Sequence, residues 1–337
     1  MRVLVTGGAG YIGSHTVARL RSAGHDVVVL DTLERGHPAA VPGAPIVVGD
    51  AGDRELVRGL LVERDIEAVI HFAARKSVAE SLEDPGGYFE ANVGGSLALL
   101  RAMADAGVRR LVFSSTCAVY GTPDVLPVRE DSPLAPENPY GESKLLVERM
   151  ARWFDDAHGI RTASLRYFNA AGASLDGSNG EDWRRAENLV PVVMQVAAGR
   201  TDAVDVYGTD YPTPDGTAIR DYVHVLDLAD VHARALDHLA AGGSSMTVNV
   251  GTGRGASVLE VVAAARAVTG HPIPIREAPR RHGDPAAIWA DGRLARDAFG
   301  WEPRHDLESI VASAWRWHTD HPDGHGPLPA DVARAVA

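Results

Sequence analysis

The chain has 337 residues, 33 Lys plus Arg against 45 Asp plus Glu, and a formal charge of −12. Hydrophobic residues make up 45% and charged residues 23%, which fits a folded chain with a core and not a disordered one. The acidic balance excludes the basic footprint that nucleic acid requires.

A strand pattern at Val3–Thr6 opens the chain, followed by a glycine turn and a helical pattern at Tyr11–Ala23. Further strands are predicted at Asp26–Leu30, Ile46–Val48, Ala68–His71, Arg110–Ser114 and Thr162–Arg166. Helical patterns lie between them at Arg54–Arg64, Tyr88–Ala106 and Tyr140–His158. Strand, helix and strand at this spacing predict parallel strands with crossover helices, a doubly wound α/β sheet covered on both faces.

Beyond residue 170 the pattern loosens. Ala171–Glu187 is rich in Gly, Ser, Asn and Asp without a period and reads as a loop. Helices are predicted at Asn188–Gly199, Asp227–Ala240, Val258–Val268, Arg293–Phe299 and Leu307–Trp317. Short strands are predicted at Val204–Val206, Met246–Asn249 and Ile273–Ile275, and a loop at Tyr207–Thr217. The expected division is a dinucleotide-binding domain over 1–170 and a smaller mixed α/β domain over 171–337, with some chain free to return to the first sheet. His318, His321 and His325 are expected in a solvated tail and not in a metal site, and no metal is expected elsewhere.

Cys117 is the single cysteine, so no intrachain disulfide is possible and no zinc-ligand spacing exists. The apolar pattern begins at residue 2 with no leader-like segment ahead of it. No apolar run approaches the ~18–20 residues of a membrane span. A cytoplasmic protein with no membrane contact is expected.

Gly7, Gly10 and Gly13 lie between the first strand and the first helix. Glycines permit the tight turn and let the backbone approach a pyrophosphate, and the helix points its N–H groups at the anion. Asp31 ends the second strand 18 residues after Gly13, where a carboxylate meets a ribose hydroxyl. Strand, loop, helix and Asp together predict a Rossmann site for NAD, and Asp31 disfavours the 2′-phosphate of NADP. Arg35 is the complication, because a nearby Arg serves such a phosphate in other proteins.

Tyr140 and Lys144 form Tyr-x-x-x-Lys on one face of a helix. A phenol titrates near ~10, so a base at neutrality needs about 3 units of depression, roughly 4 kcal/mol. One cation at about 4 Å supplies ~4 kcal/mol at an effective dielectric near 20. Ser114-Ser115-Thr116 end the fifth strand, at the sheet edge where open α/β folds bind ligands. Thr116 is either a hydrogen-bonding partner of the reacting hydroxyl or a strand-end cap, and spacing does not choose. Cys117 reads as a buried small residue and not as a nucleophile.

At these residues the sequence resembles the extended short-chain dehydrogenase/reductase superfamily. Within it the chain is similar, nearly end to end, to the UDP-glucose 4-epimerase (UDP-galactose 4-epimerase) family. The resemblance is carried by Val3–His15, Val69–Ala74, Tyr140-Gly-Glu-Ser-Lys144 and Leu165-Arg-Tyr-Phe-Asn169. In the second half it is carried by Tyr207–Thr213, Arg220–Val225 and Ala278-Pro-Arg-Arg-His-Gly-Asp284, which are the more specific stretches.

The resemblance implies reversible C4 epimerisation of UDP-glucose and UDP-galactose through a transient 4-keto sugar, with NAD tightly bound. Tyr140 is the implied base, Lys144 its ribose-binding partner, and Thr116 the Ser/Thr of the family. Implied cofactor positions are Gly7, Gly10, Tyr11, Ile12, Gly13, Asp31, Asp50, Ala51, Phe72, Ala73, Lys76, Asn92, Ser114, Tyr140, Lys144 and Tyr167. Implied UDP-sugar positions are Thr116, Asn169, Asn188, Leu189, Tyr207, Arg220, Arg281, Asp284 and Ile288. Arg220 and Arg281 suit diphosphate oxygens on chemical grounds as well, and Tyr207 offers an aromatic face for uracil.

Ile288 stands where some members carry a bulky Tyr, which leaves tolerance of UDP-GlcNAc and UDP-GalNAc open. Thr32 replaces an Asn of some members and puts one ribose contact in doubt. A 4,6-dehydratase would carry Asp-Glu after Thr116, where Cys117-Ala118 stand here, and a non-catalytic sensor would not need Tyr140 and Lys144. The resemblance further implies a homodimer built on Tyr88–Ala106 and Tyr140–His158. Between Arg276 and Arg296 five Arg against three acids leave a local +2, an expected positive island on an acidic protein.

Overall fold

The computed structural model describes residues 1–183, 187–281, 283–329 and 332–333. Arg184–Ala186, within the predicted loop, and His282, within a family-specific stretch, lie outside the described residues.

The first half forms β1 (Arg2–Thr6), α1 (Tyr11–Ser22), β2 (Asp26–Asp31), β3 (Ile46–Val48), α2 (Arg54–Glu63) and β4 (Ala68–His71). It continues with α3 (Val78–Glu83), α4 (Pro85–Tyr88), α5 (Gly95–Ala106), β5 (Arg110–Thr116), α6 (Pro139–His158) and β6 (Arg161–Tyr167). These strands pair in parallel, as the sequence pattern requires. Successive strand residues point to opposite faces, so Val3, Val5, Val27 and Val29 join one core while Leu4, Val28 and Leu30 join the other.

The second half forms β7 (Asn169–Ala171), α7 (Leu189–Ala197), β8 (Val204–Tyr207), β9 (Ile219–Arg220), β10 (Tyr222–His224) and α8 (Val225–Ala240). Then come β11 (Met246–Val250), β12 (Ala256–Ser257), α9 (Val258–Thr269), β13 (Ile275–Ala278), β14 (Ala287–Ile288), α10 (Arg293–Phe299) and α11 (Leu307–Asp320). The chain returns to the first sheet, whose order is β11-β6-β5-β4-β1-β2-β3, with β11 parallel to β6. α8 closes the same layer against α1, and its Leu228, Val231 and Leu236 enter that core. The remaining strands form three small sheets, β10-β7, β12-β9-β14 and β13-β8.

Three expectations are corrected. The helix predicted over Tyr88–Ala106 is interrupted by a wide π-helical turn at Phe89–Gly94. From that turn the Asn92 side chain binds both backbone groups of Arg75, at 2.8 and 3.0 Å, which ties the wide turn to the segment after β4. The strand predicted at Ile273–Ile275 begins only at Ile275, because Pro272 and Pro274 have no N–H to give a ladder. The histidine tail is not solvated. His318 is buried and stacks on Trp183 at 4.5 Å, and His321 stacks on Trp317 at 3.9 Å. Flat aromatic partners give the rings an apolar surface to cover.

Candidate active site

One cleft of about 1980 Å³ runs along the carboxyl edge of the main sheet. At its floor Gly7 has φ +68°, and a Cβ there would lie 2.6 Å from the Ala73 nitrogen, so the loop requires glycine. A Cβ on Gly13 would lie 2.3 Å from the Gly7 carbonyl oxygen, which keeps α1 close against the loop. No side chain caps α1 at Gly10, so its first turn presents backbone N–H groups to the cleft. This donor set fits a pyrophosphate.

Asp31 accepts the N–H groups of Ala9 and Leu33, both at 2.9 Å. Burial holds its carboxyl above the usual value despite those bonds. Arg35 is tied to Glu80 at 2.6 Å, and Glu80 also accepts the Tyr88 hydroxyl at 3.1 Å. The guanidinium that complicated the reading of Asp31 therefore has its own counter-ion.

α6 starts where Asn138 accepts the Gly141 N–H at 2.8 Å and Pro139 takes the first helical position. This sets Tyr140 in the first turn, and three consecutive residues of β5 meet one face of the helix. The Ser114 carbonyl accepts the Lys144 ammonium at 2.9 Å, the Ser115 hydroxyl donates to Glu148 at 2.5 Å, and the Thr116 hydroxyl bonds Tyr140. Thr116 also accepts the Ala118 N–H at 3.2 Å, the strand-end cap that was one of its two expected roles. Ser114 and Tyr167 share a hydroxyl–hydroxyl bond at the same strand end.

Tyr140 reaches solvent through the cleft, yet dense protein around it holds its phenol well above the usual range. Burial pushes Lys144 down to about 7, with Glu148 opposing the shift. Desolvation of both groups thus opposes the depression expected from the lysine. Burial likewise pushes the Cys117 thiol up to about 12, which fits the unreactive reading.

On the opposite wall Arg220 pairs with Asp284 and also donates to the Ile219 carbonyl at 2.7 Å. The Arg281 guanidinium lies 3.8 Å from the Tyr207 ring centroid and so covers one face of the expected uracil platform. Ile288 is buried and sits beside Arg220 in register between β14 and β9. The positive island is corrected. Arg276, Arg280 and Arg296 pair with Asp205, Asp210 and Glu302, acids from outside the segment, while Arg293 pairs with Asp291.

Of the expected site residues, all but Asn92 and Leu189 face this cleft. Asn92 lies behind the wall, where it donates to Ser143 at 3.0 Å, and Leu189 packs with the core of the second lobe. Sequence reasoning missed Glu181, a buried carboxylate that holds Lys76 at 3.4 Å and Asn188 at 3.2 Å. It lies in the loop without periodicity, so nothing marked it. Glu148 was also missed, although it continues the Tyr140, Lys144 spacing by four residues. It forms a buried pair with Arg166 at 2.7 Å. Among the described residues no group of three His, Cys, Asp or Glu side chains is placed to hold a metal ion.

The model of the NAD dependent epimerase/dehydratase family matches residues 3–251. The chain belongs to this family. It is 49% identical to the UDP-glucose 4-epimerase of Lacticaseibacillus casei, over 97% of this chain and 99% of that protein. The crystal structure of the Stenotrophomonas maltophila UDP-glucose-4-epimerase, with bound NAD and formylated UDP-arabinopyranose, superposes with TM-score 0.92 at 44% identity. That match covers 96% of this chain and 99% of the other. The Bifidobacterium longum UDP-glucose 4-epimerase, solved with NAD+ and UDP, gives TM-score 0.91 at 41% identity, over 96% and 100% of the two chains. In this chain the glycine loop and the Tyr140–Lys144 pair stand on one edge of the main sheet.

Proposed function

We propose that this chain is a UDP-glucose 4-epimerase, which interconverts UDP-glucose and UDP-galactose at C4 and so serves galactose metabolism. The observation that carries this reading is convergence. The glycine cradle, the Tyr140–Thr116–Lys144 group and the Arg220 and Arg281 guanidiniums line one cleft.

Bound NAD would accept the C4 hydride in its oxidised form, whose positive charge favours the phenolate, and return it from the neutral reduced form. Tyr140 takes the proton of the sugar 4-hydroxyl, and Thr116 holds that hydroxyl and the phenol in line. Lys144, anchored on the Ser114 carbonyl, offers an ammonium to a ribose hydroxyl and to the phenolate. Arg220 and Arg281 hold the diphosphate while the 4-keto sugar turns its other face to the nicotinamide. Asp31 receives the adenosine ribose with its remaining lone pairs. The residue after Thr116 is Cys117, half-buried, with a thiol too high to act as the acid/base partner that elimination requires.

The unpaired outer face of α6 supports a homodimer. Trp153 there is 73% exposed, an apolar side chain that a second copy would cover. No described helix is long and apolar enough to cross a membrane, and the free cysteine supports a reducing cytoplasm.

The test is incubation of the purified protein with UDP-galactose and no added NAD. UDP-glucose is the expected product, whereas a 4-keto-6-deoxy sugar would make the chain a dehydratase, and no turnover would favour a sensor. The half-bulky Ile288 supports a preference for UDP-glucose, so kcat/KM for UDP-GlcNAc should be the lower.

A further inference from the structure

The C-terminal segment enters the cleft. His325, Gly326, Pro327 and Leu328 line the same cavity as the glycine loop and Asp31. None of them belongs to the cradle or to the Tyr140 group.

The contact runs through His37, on the loop that leaves β2. The His37 N–H donates to the Ala9 carbonyl at 3.0 Å, so the residue stands against the glycine loop, at the end of the cleft that Asp31 marks for the adenosine ribose. Its ring stacks on His325 with centroids 5.3 Å apart and planes 15° from parallel. Its Nδ1 accepts the Ala39 N–H at 3.1 Å, which leaves the proton on Nε2. Nε2 then donates to the Pro327 carbonyl at 3.3 Å.

The other end of the segment is held by the second lobe. The Pro322 carbonyl accepts the Trp183 indole N–H at 3.2 Å and the Arg200 guanidinium at 2.5 Å. Gly324 has φ +60°, and a Cβ there would come within 2.8 Å of the Asp182 carboxylate. His325 also packs on Trp317 at 4.9 Å. The segment thus bridges the two lobes across one end of the cleft.

We propose that Pro322–Leu328 is a cofactor-retaining strap, docked on His37, that closes the adenosine end of the cleft and slows the release of NAD. The proposal rests on the reading that NAD occupies the cleft. A dinucleotide leaving by that end must first break the His37–His325 stack and the His37–Pro327 bond.

The experiment uses the full-length protein loaded with NAD, followed by dilution and measurement of free nucleotide in filtrates over time. His37→Ala removes stack and bond together. Gly324→Ala strains the strap from the other end without touching His37. Each should release NAD about tenfold faster than the parent, as expected for loss of one stacked, hydrogen-bonded contact that acts on the off-rate. His37→Phe keeps the stack and should fall between parent and His37→Ala. Far-UV circular dichroism on the same samples separates strap loss from unfolding. Equal release from the parent and from folded His37→Ala and Gly324→Ala would overturn the strap while leaving the cofactor reading intact. A parent that neither carries nor takes up NAD would overturn both.

Discussion

The two walls of the cleft are built differently. The dinucleotide wall hangs on regular structure: a strand end, a helix start and a glycine turn fix Gly7, Asp31, Tyr140 and Lys144. The sugar-nucleotide wall hangs on two-residue strands and on pairs between side chains, such as Arg220 with Asp284 and Arg281 over Tyr207. The first arrangement holds reacting groups in place. The second rests on side-chain pairs, which under the proposed function would exchange partners with a diphosphate while the sugar on it turns over.

This contrast predicts a split in kinetics. Tyr140→Phe should keep the fold and its NAD and lose roughly 10²–10⁴ in kcat, the usual cost of a missing general base. A near-normal kcat would take Tyr140 out of the chemistry. Arg220→Ala should instead raise KM for UDP-glucose about 10- to 100-fold with the smaller effect on kcat, since hydrogen bonds to charged groups contribute about 1.5–3 kcal/mol. Equal losses in kcat with KM unchanged would erase the distinction between the walls.

A smaller effect concerns both lobes equally. His71 and His232 lie in the main sheet layer and His224 and His318 in the second lobe, all buried. Burial pushes His71 and His224 down to about 3, and His232 and His318 to about 4. Their folded values lie below the unfolded ~6.5, so below that pH the unfolded chain takes up more protons and stability falls as pH falls. Each such histidine adds at most about 1.4 kcal/mol of loss per pH unit between ~6.5 and its folded value. Urea midpoints at pH 7.5, 6 and 5 should decline in steepening steps. A flat series would contradict the buried neutral state.

What the sequence disclosed follows the same line. Both-face burial made β1, β2, β4 and β5 nearly continuous apolar runs, and the glycine spacing together with Asp31 announced the cradle. Tyr140 and Lys144 carried their geometry in a helical spacing. Glu181 did not, because a loop has no period to betray which carboxylate will turn inward. The Phe89–Gly94 turn was hidden, since the Asn92–Arg75 bonds that accompany it form between separate segments. The His325–His37 stack joins residues at opposite ends of the chain and was invisible for the same reason.

In the proposed reaction one base and one hydride acceptor act on C4 in both directions. UDP-galactose carrying deuterium at C4, converted in ordinary water, tests it most directly. UDP-glucose that keeps the deuterium at C4 is expected, because the hydride leaves for the cofactor and returns from it without meeting solvent. Loss of the label to water would contradict it.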